Sequence, residues 1–179
     1  MHMAKSDFKF STTIRVSWME GDAQGIVFNG AYLDYLEIAQ AEYFRNLGFS
    51  IYQIAKAGYF DSAVVKTTIE FKHPAKIDQL IDLYTRIGSI GNTSITLDLE
   101  IYPKNSDQML TSIQAVYVGY NSTTGETRVV PEAIRTLVNH FESTGTIRNL
   151  NYFSDLSEAA SKQNTPCLLY TSPSPRDRG

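Results

Sequence analysis

The stretch WMEGDAQGIVFNGAYLDYLEIAQ, Trp18 to Gln40, decides how the rest of the chain is interpreted. It places two acids, Glu20 and Asp22, in a glycine-rich loop directly ahead of a strongly apolar segment. From Tyr32 to Leu47, apolar residues recur every three or four positions, which is typical of a helix. Further apolar residues widen this stripe almost all the way round, so we predict a buried helix. The stripe and the residues that widen it are Tyr32, Tyr35, Leu36, Ala39, Tyr43 and Leu47, with Leu33, Ile38, Ala41 and Phe44.

The segments around this helix have the pattern of strands. Before it, β-branched and aromatic residues alternate from Phe8 to Trp18, which predicts one strand. After it come four similar runs separated by short turn signals, and such short connections favour antiparallel neighbours. Short helices are expected at Ile51–Ala57 and from Pro131 to Phe141. The order predicts an α+β fold in which a sheet covers one buried helix. The four later runs are Phe60–Phe71, Gln79–Ile90, Ser94–Tyr102 and Met109–Tyr120.

Composition excludes several classes of protein. The 179 residues are enough for one domain, and the net charge of −3 argues against a nucleic-acid binder. A single cysteine, Cys167, excludes an internal disulfide, and His2, His73 and His140 lack the spacing of metal ligands. No apolar run approaches the length of a membrane span, and the N-terminus lacks the apolar core of a signal peptide. We therefore predict a cytoplasmic protein with no metal site.

The two ends of the chain differ from its middle. Residues 1–7 are interpreted as a tail, and residues 143–166 as a polar, mobile extension. The last segment, CLLYTSPSPRDRG from Cys167 to Gly179, resembles a translated sequencing adapter. We interpret it as a scar of library construction and leave it out of the fold.

The residues of the loop allow two interpretations. A helix start presents unpaired N–H groups and a partial positive charge, which suits a developing oxyanion. Gly25 and Gly30 would let a ligand approach the backbone, and Asp22 could supply a nucleophile or a general base. An Asp in a glycine-rich turn before a helix more often caps that helix or forms an Asx turn. The residues by themselves leave both interpretations open.

A resemblance to a known family favours the first interpretation. DAQGIVFNGAYLDYLEIA, Asp22 to Ala39, resembles the signature of the 4-hydroxybenzoyl-CoA thioesterase family of hotdog-fold proteins. The similarity continues in VVKTTIEFKHPAKIDQLIDLYTRI, GNTSITLDLEIY and LTSIQAVYVGYN, and it spans residues 8–142. It implies a hotdog domain in which a long central helix is wrapped by a five-stranded antiparallel sheet. It also implies an acyl-CoA thioesterase that releases a carboxylate and free coenzyme A.

The resemblance assigns roles to individual residues. It implies that Asp22 is the catalytic carboxylate and that the Asn29 backbone N–H donates to the oxyanion. Glu37, on the helix, is the alternative nucleophile. The implied substrate-binding residues are Gly25, Ile26, Val27, Tyr32, Glu37 and Ser94.

Other positions are less specific. Glu20 stands where the family often has Asp, and Gln40 where many members have Arg. Trp18 could form a wall of the acyl pocket, and His73 is expected to cap a turn. Candidate contacts for the phosphates of coenzyme A are Lys72, Lys76, Arg86 and Arg128.

The expected partner is a small molecule, an acyl-CoA, and no cofactor is expected because coenzyme A belongs to the substrate. A sheet wrapped round one helix leaves edges that need cover, so we predict a homodimer or a homotetramer. Two alternatives to hydrolysis stay open. One is a hotdog hydratase or dehydratase, and the other is a non-catalytic module that binds acyl-CoA or acyl-carrier protein.

Overall fold

The structure is a computed structural model, and it describes residues 5–121 and 123–162. His2, Cys167 and the adapter-like segment lie outside the described residues. The strands are β1 (Phe10–Arg15), β2 (Ser62–Phe71), β3 (Leu80–Ile90), β4 (Ser94–Pro103) and β5 (Thr111–Gly119). The helices are α1 (Ala31–Asn46), α2 (Ile51–Lys56), α3 (Glu132–Thr144) and α4 (Ser154–Ser161). Short 3₁₀ turns lie at Lys5–Asp7, Trp18–Glu20 and Leu150–Tyr152.

The five strands form one antiparallel sheet in the order β1-β3-β4-β5-β2. Its inner face packs on α1, and one apolar core joins the two. The predicted fold class is confirmed: a long central helix lies against a five-stranded antiparallel sheet. The sequence could predict this because the helical and strand periodicities change at clear turn residues.

Helix α1 is buried along most of its length, with Tyr35, Ala39 and Tyr43 fully enclosed. It begins at Ala31 after Gly30, and no side chain caps this end by a hydrogen bond. The start of a buried helix is therefore left without the Ser, Thr, Asp or Asn cap that usually satisfies its first N–H groups.

Strand β1 is shorter than predicted. It ends at Arg15, and Trp18–Glu20 form a 3₁₀ turn. The cause is a capping box, in which the Ser17 hydroxyl accepts from the Met19 N–H and the Glu20 carboxylate accepts from the Ser17 N–H. Trp18 is 81% exposed in this turn, so it does not wall a pocket in the isolated chain.

The segment after α3 differs from the predicted mobile extension. Its described part forms α4, whose Leu156 and Ala159 are buried in the same core as α1. The sequence looked polar because this short helix buries only one narrow face. At the other end, the tail is held at Lys5, whose ammonium lies over the Tyr102 ring and hydrogen-bonds to the Ser106 carbonyl.

Strand β2 lies at one edge of the sheet and pairs only with β5 among the described strands. Val64, Val65 and Phe71 on this edge strand are exposed. The pairing shifts between Val64 and Lys66, which marks a bulge. In the described ranges, no helix is both long enough and apolar enough to cross a membrane.

Candidate active site

The loop before α1 is held to the turn that follows β2. The Val27 N–H donates to the Ala75 carbonyl at 2.9 Å, and Ile26 forms a bridge with Lys76. Within the loop, Gly21 pairs with Val27. A Cβ at Gly21 would collide with the Ile77 side chain, so a larger residue there would require Ile77 to move. The loop is therefore a fixed platform.

Glu20 fixes the platform to the central helix. Its carboxylate accepts from the Tyr35 hydroxyl at 3.0 Å as well as from the Ser17 N–H, and its backbone carbonyl accepts from the Phe28 N–H at 2.8 Å. Burial, and then this hydrogen bond, raise the pKa of Tyr35 well above its ordinary value. The Tyr35 phenol stays protonated and remains a donor to Glu20. Glu20 thus positions the loop.

Asp22 lies half-buried in this loop. One carboxylate oxygen, Oδ1, accepts from the Gln24 N–H at 2.8 Å and more weakly from the Ile26 N–H at 3.4 Å. This is the Asx turn that the sequence allowed, and Gly25 completes it with a positive φ of 76°. The second oxygen, Oδ2, accepts no hydrogen bond from any residue that the structure describes. The Asp22 carboxylate is held through Oδ1, and Oδ2 is free. Asp22 can therefore form an Asx turn and still act as a catalytic carboxylate.

The start of α1 carries unused donors. The N–H groups of Ala31, Tyr32 and Leu33 donate back to the carbonyls of residues 28, 29 and 30. The N–H groups of Asn29 and Gly30 donate to no acceptor within residues 5–121 and 123–162. Two N–H groups at the positive end of a helix dipole can bind an anion or a carbonyl that gains negative charge.

Of these two residues, Asn29 lines a pocket of about 250 Å³. One wall comes from the loop and the helix start, and the other from the turn after β2. No acidic side chain lines it, and its polar lining groups can all donate hydrogen bonds. The lining residues are Ile26, Val27, Asn29, Tyr32, Phe71, Lys72, His73 and Pro74.

The structure brings four of the predicted site residues together in this pocket: Ile26, Val27, Asn29 and Tyr32. Asp22 and Gly25 do not line it. Asp22 lies beside it, since its N–H donates to the Ile26 carbonyl at 2.8 Å. His73, which the sequence suggested only as a turn residue, does line the pocket. The missed signal was the Pro74-Ala75 turn, whose pairing with Val27 brings His73 to the helix start.

Two predicted binding residues lie elsewhere. Glu37 is exposed on α1, does not line the pocket and accepts from the Tyr52 hydroxyl at 2.7 Å. Burial and then this bond raise the pKa of Tyr52 to about 12. Ser94 pairs with Val118, whereas the pocket residue Phe71 pairs with Thr111 at the other end of β5. Those ends are roughly 23 Å apart, so Ser94 is remote from the pocket of its own chain.

Two of the four candidate phosphate contacts are used within the fold. Arg128 donates to the carbonyls of Gly58 and Tyr59, and the Arg86 Nε is buried in the sheet. Lys72 and Lys76 remain exposed beside the pocket, with Lys72 paired to Glu70 at 2.7 Å. Of the four candidates, these two lysines are the ones that the structure leaves exposed near the site.

The chain is similar to known thioesterases. Residues 24–110 match the thioesterase superfamily, a range that includes Asn29 and begins two residues after Asp22. The acyl-CoA thioester hydrolase YbgC of Escherichia coli is 27% identical over 125 residues, which cover 70% of this chain and 92% of that protein.

Solved structures share the fold. A probable thioesterase from Bartonella henselae has a TM-score of 0.63 at 26% identity, and covers 68% of this chain and 98% of its own. A 1,4-dihydroxy-2-naphthoyl-CoA thioesterase from Synechocystis has a TM-score of 0.66 at 21% identity, and covers 71% of this chain and 93% of its own. The second likeness bears on the fold alone.

Proposed function

We propose that the chain hydrolyses acyl-CoA thioesters to a carboxylate and free coenzyme A, because residues 24–110 match the thioesterase superfamily. The observation that carries the proposal is the unused N–H group of Asn29, a residue that lines a pocket beside a carboxylate with one free oxygen. This arrangement offers an electrophilic and a nucleophilic side to one carbonyl group.

The proposed reaction begins with the acyl carbonyl at the start of α1. Oδ2 of Asp22 either attacks the carbonyl carbon or removes a proton from the attacking water. The carbonyl oxygen becomes negative and is stabilised by the Asn29 N–H and the helix dipole. The C–S bond then breaks, and the sulfur leaves as the coenzyme A thiolate and takes up a proton. If Asp22 attacks, water hydrolyses the resulting mixed anhydride. Neither route requires a metal or a redox cofactor.

The apolar part of the pocket suits the acyl group, and its rim suits coenzyme A. Ile26, Val27 and Phe71 supply apolar walls. Lys72 lines the pocket and Lys76 forms a bridge with the pocket residue Ile26, and ammonium groups bind phosphates such as those of coenzyme A.

The test is release of free thiol from a panel of aryl, short-chain and long-chain acyl-CoAs, with acyl-carrier-protein thioesters in parallel. We expect at least one acyl-CoA to give thiol and carboxylate in equal amounts. Binding across the panel without thiol release would instead identify a binding module.

One observation favours a hydratase as the second candidate. His73 lines the pocket, and a hydratase would need a histidine there. No carboxylate among the described residues hydrogen-bonds to its ring, so the pair that orients such a base is missing. Conversion of a 2-enoyl-CoA to a 3-hydroxyacyl-CoA without thiol release would establish this alternative.

We further propose that the protein is a homodimer joined along β2. This strand is ten residues long, has one unpaired edge and exposes three large apolar side chains. An unpaired strand edge can pair with another strand, and a second copy of the chain presents an identical edge at its own β2.

We expect Val65→Lys to shift the protein from dimer to monomer, because Val65 is 61% exposed on that edge and a lysine there opposes strand pairing. Light scattering coupled to size exclusion measures the mass. The control is Ile147→Lys, since Ile147 is 51% exposed and lies two residues after Gly145, where an added Cβ would be 3.7 Å from Lys9, the residue that precedes β1. A monomeric wild type, or a Val65→Lys protein that stays dimeric, would contradict the proposed interface.

A further inference from the structure

Tyr32 has a polar group that the fold does not use completely. Its side chain is 2% exposed and lines the pocket. The phenol oxygen accepts from the Ala75 N–H at 3.4 Å, but the hydroxyl hydrogen has no acceptor within the described residues. A buried donor without an acceptor is costly to retain, so most buried polar groups have a hydrogen-bond partner.

The immediate surroundings offer no partner for this hydrogen. Thr111 lies opposite Phe71 in the β2–β5 ladder, and Phe71 packs edge-on against the Tyr32 ring at 5.1 Å. The Thr111 hydroxyl is itself buried and has no hydrogen-bond partner among the described residues, so it does not accept from Tyr32. The hydroxyl hydrogen of Tyr32 is therefore available to a molecule that enters the pocket.

The geometry of α1 directs this hydroxyl toward the unused N–H groups. Tyr32 is three positions after Asn29, about one helical turn. Side chains on a helix lean toward its N-terminus, so the Tyr32 ring extends toward the end where Asn29 and Gly30 present their N–H groups. The ring is fixed by edge-on contacts with Phe71 and Tyr35, and the Ala75 N–H occupies one side of its oxygen. The hydroxyl hydrogen is left to point away from Ala75.

We propose that the Tyr32 hydroxyl is a second hydrogen-bond donor to the carbonyl oxygen of the bound thioester, acting together with the Asn29 N–H. The inference rests on the proposed hydrolysis and adds a side-chain donor to it. A rigid donor strengthens its bond as the oxygen gains charge, so it acts mainly in the transition state.

The experiment compares Tyr32→Phe with Tyr43→Phe. Both residues are buried tyrosines on α1, but the Tyr43 hydroxyl is committed to Glu142 at 2.6 Å, at the other end of the helix. We expect Tyr32→Phe to lower kcat by about 10²-fold with little change in KM, as for the loss of one oxyanion donor. Tyr43→Phe should lower the melting temperature and keep the wild-type kcat.

A second readout is the infrared stretch of a ¹³C-labelled thioester carbonyl bound to Asp22→Asn. A carbonyl with two donors absorbs at lower frequency than a carbonyl with one, so adding Tyr32→Phe should raise the frequency. A wild-type kcat in Tyr32→Phe would overturn the inference, because the hydroxyl would then have no role in catalysis. Failure of that variant to fold would also overturn it, because the hydroxyl would then be needed for the fold. If the wild type releases no thiol from any substrate, the proposed function fails first, which is a distinct result.

Discussion

We expect Asp22→Asn to lower kcat for thioester hydrolysis by about 10³-fold, within the range for removal of a catalytic base or nucleophile. The substitution changes little else. Oδ1 of Asp22 accepts from the N–H groups of Gln24 and Ile26, and the Asn side-chain oxygen can accept the same bonds. The loop should therefore keep its shape, and only the free, charged oxygen is lost. Steady-state kinetics and a thermal melt measure the two parts of this prediction.

The matched control for Asp22→Asn is Asp78→Asn. Asp78 is an exposed loop carboxylate with a positive φ of 65°, which Asn tolerates, and its ion pair with Arg15 is on the surface. This variant should keep the wild-type kcat. If Asp22→Asn is fully active while Glu37→Gln is inactive, the exposed helix carboxylate is the nucleophile and our assignment is wrong.

The second large effect is expected from Asn29→Pro. Proline has no N–H, so this variant removes the proposed oxyanion donor, while the Asn29 carbonyl can still accept from the Tyr32 N–H. We expect kcat to fall by about 10²–10³-fold. Asn29→Ala keeps the N–H and should lose far less.

The contrast between the two Asn29 variants separates backbone from side chain. Equal losses in Asn29→Ala and Asn29→Pro would assign the effect to the carboxamide and contradict the oxyanion role of the N–H. Circular dichroism and thermal melts of both variants establish that the start of α1 is intact.

The fold was predictable because its signals are local. The apolar stripe of α1 and the alternating strands depend on residues a few positions apart, and the structure places α1 within one residue of its predicted limits. Two features were not local. The end of β1 depends on the Ser17–Glu20 capping box, and α4 is ordered by contact with a core built from distant parts of the chain.

The candidate site was predictable only where its residues are close in sequence. The loop from Asp22 to Tyr32 contains both the carboxylate and the N–H groups, so one motif was sufficient to identify them. His73 could not be assigned, because the Val27–Ala75 pairing that brings it to the helix start joins segments far apart in the chain. Ser94 and Glu37 were predicted as site residues but do not line the pocket. The family resemblance selected them, and it does not say which residues meet within one subunit.

Hydrolysis itself is tested most directly by a single turnover in H₂¹⁸O with the acyl-CoA that the wild type processes fastest. The account predicts one free thiol per acyl group released and one ¹⁸O per turnover, in the carboxylate product if water attacks the acyl carbon or in Asp22 if water attacks the Asp22 carbon of a mixed anhydride. Both signals should be lost in Asp22→Asn. An acyl-CoA that stays bound and unchanged, or one that is hydrated without releasing thiol, would contradict it.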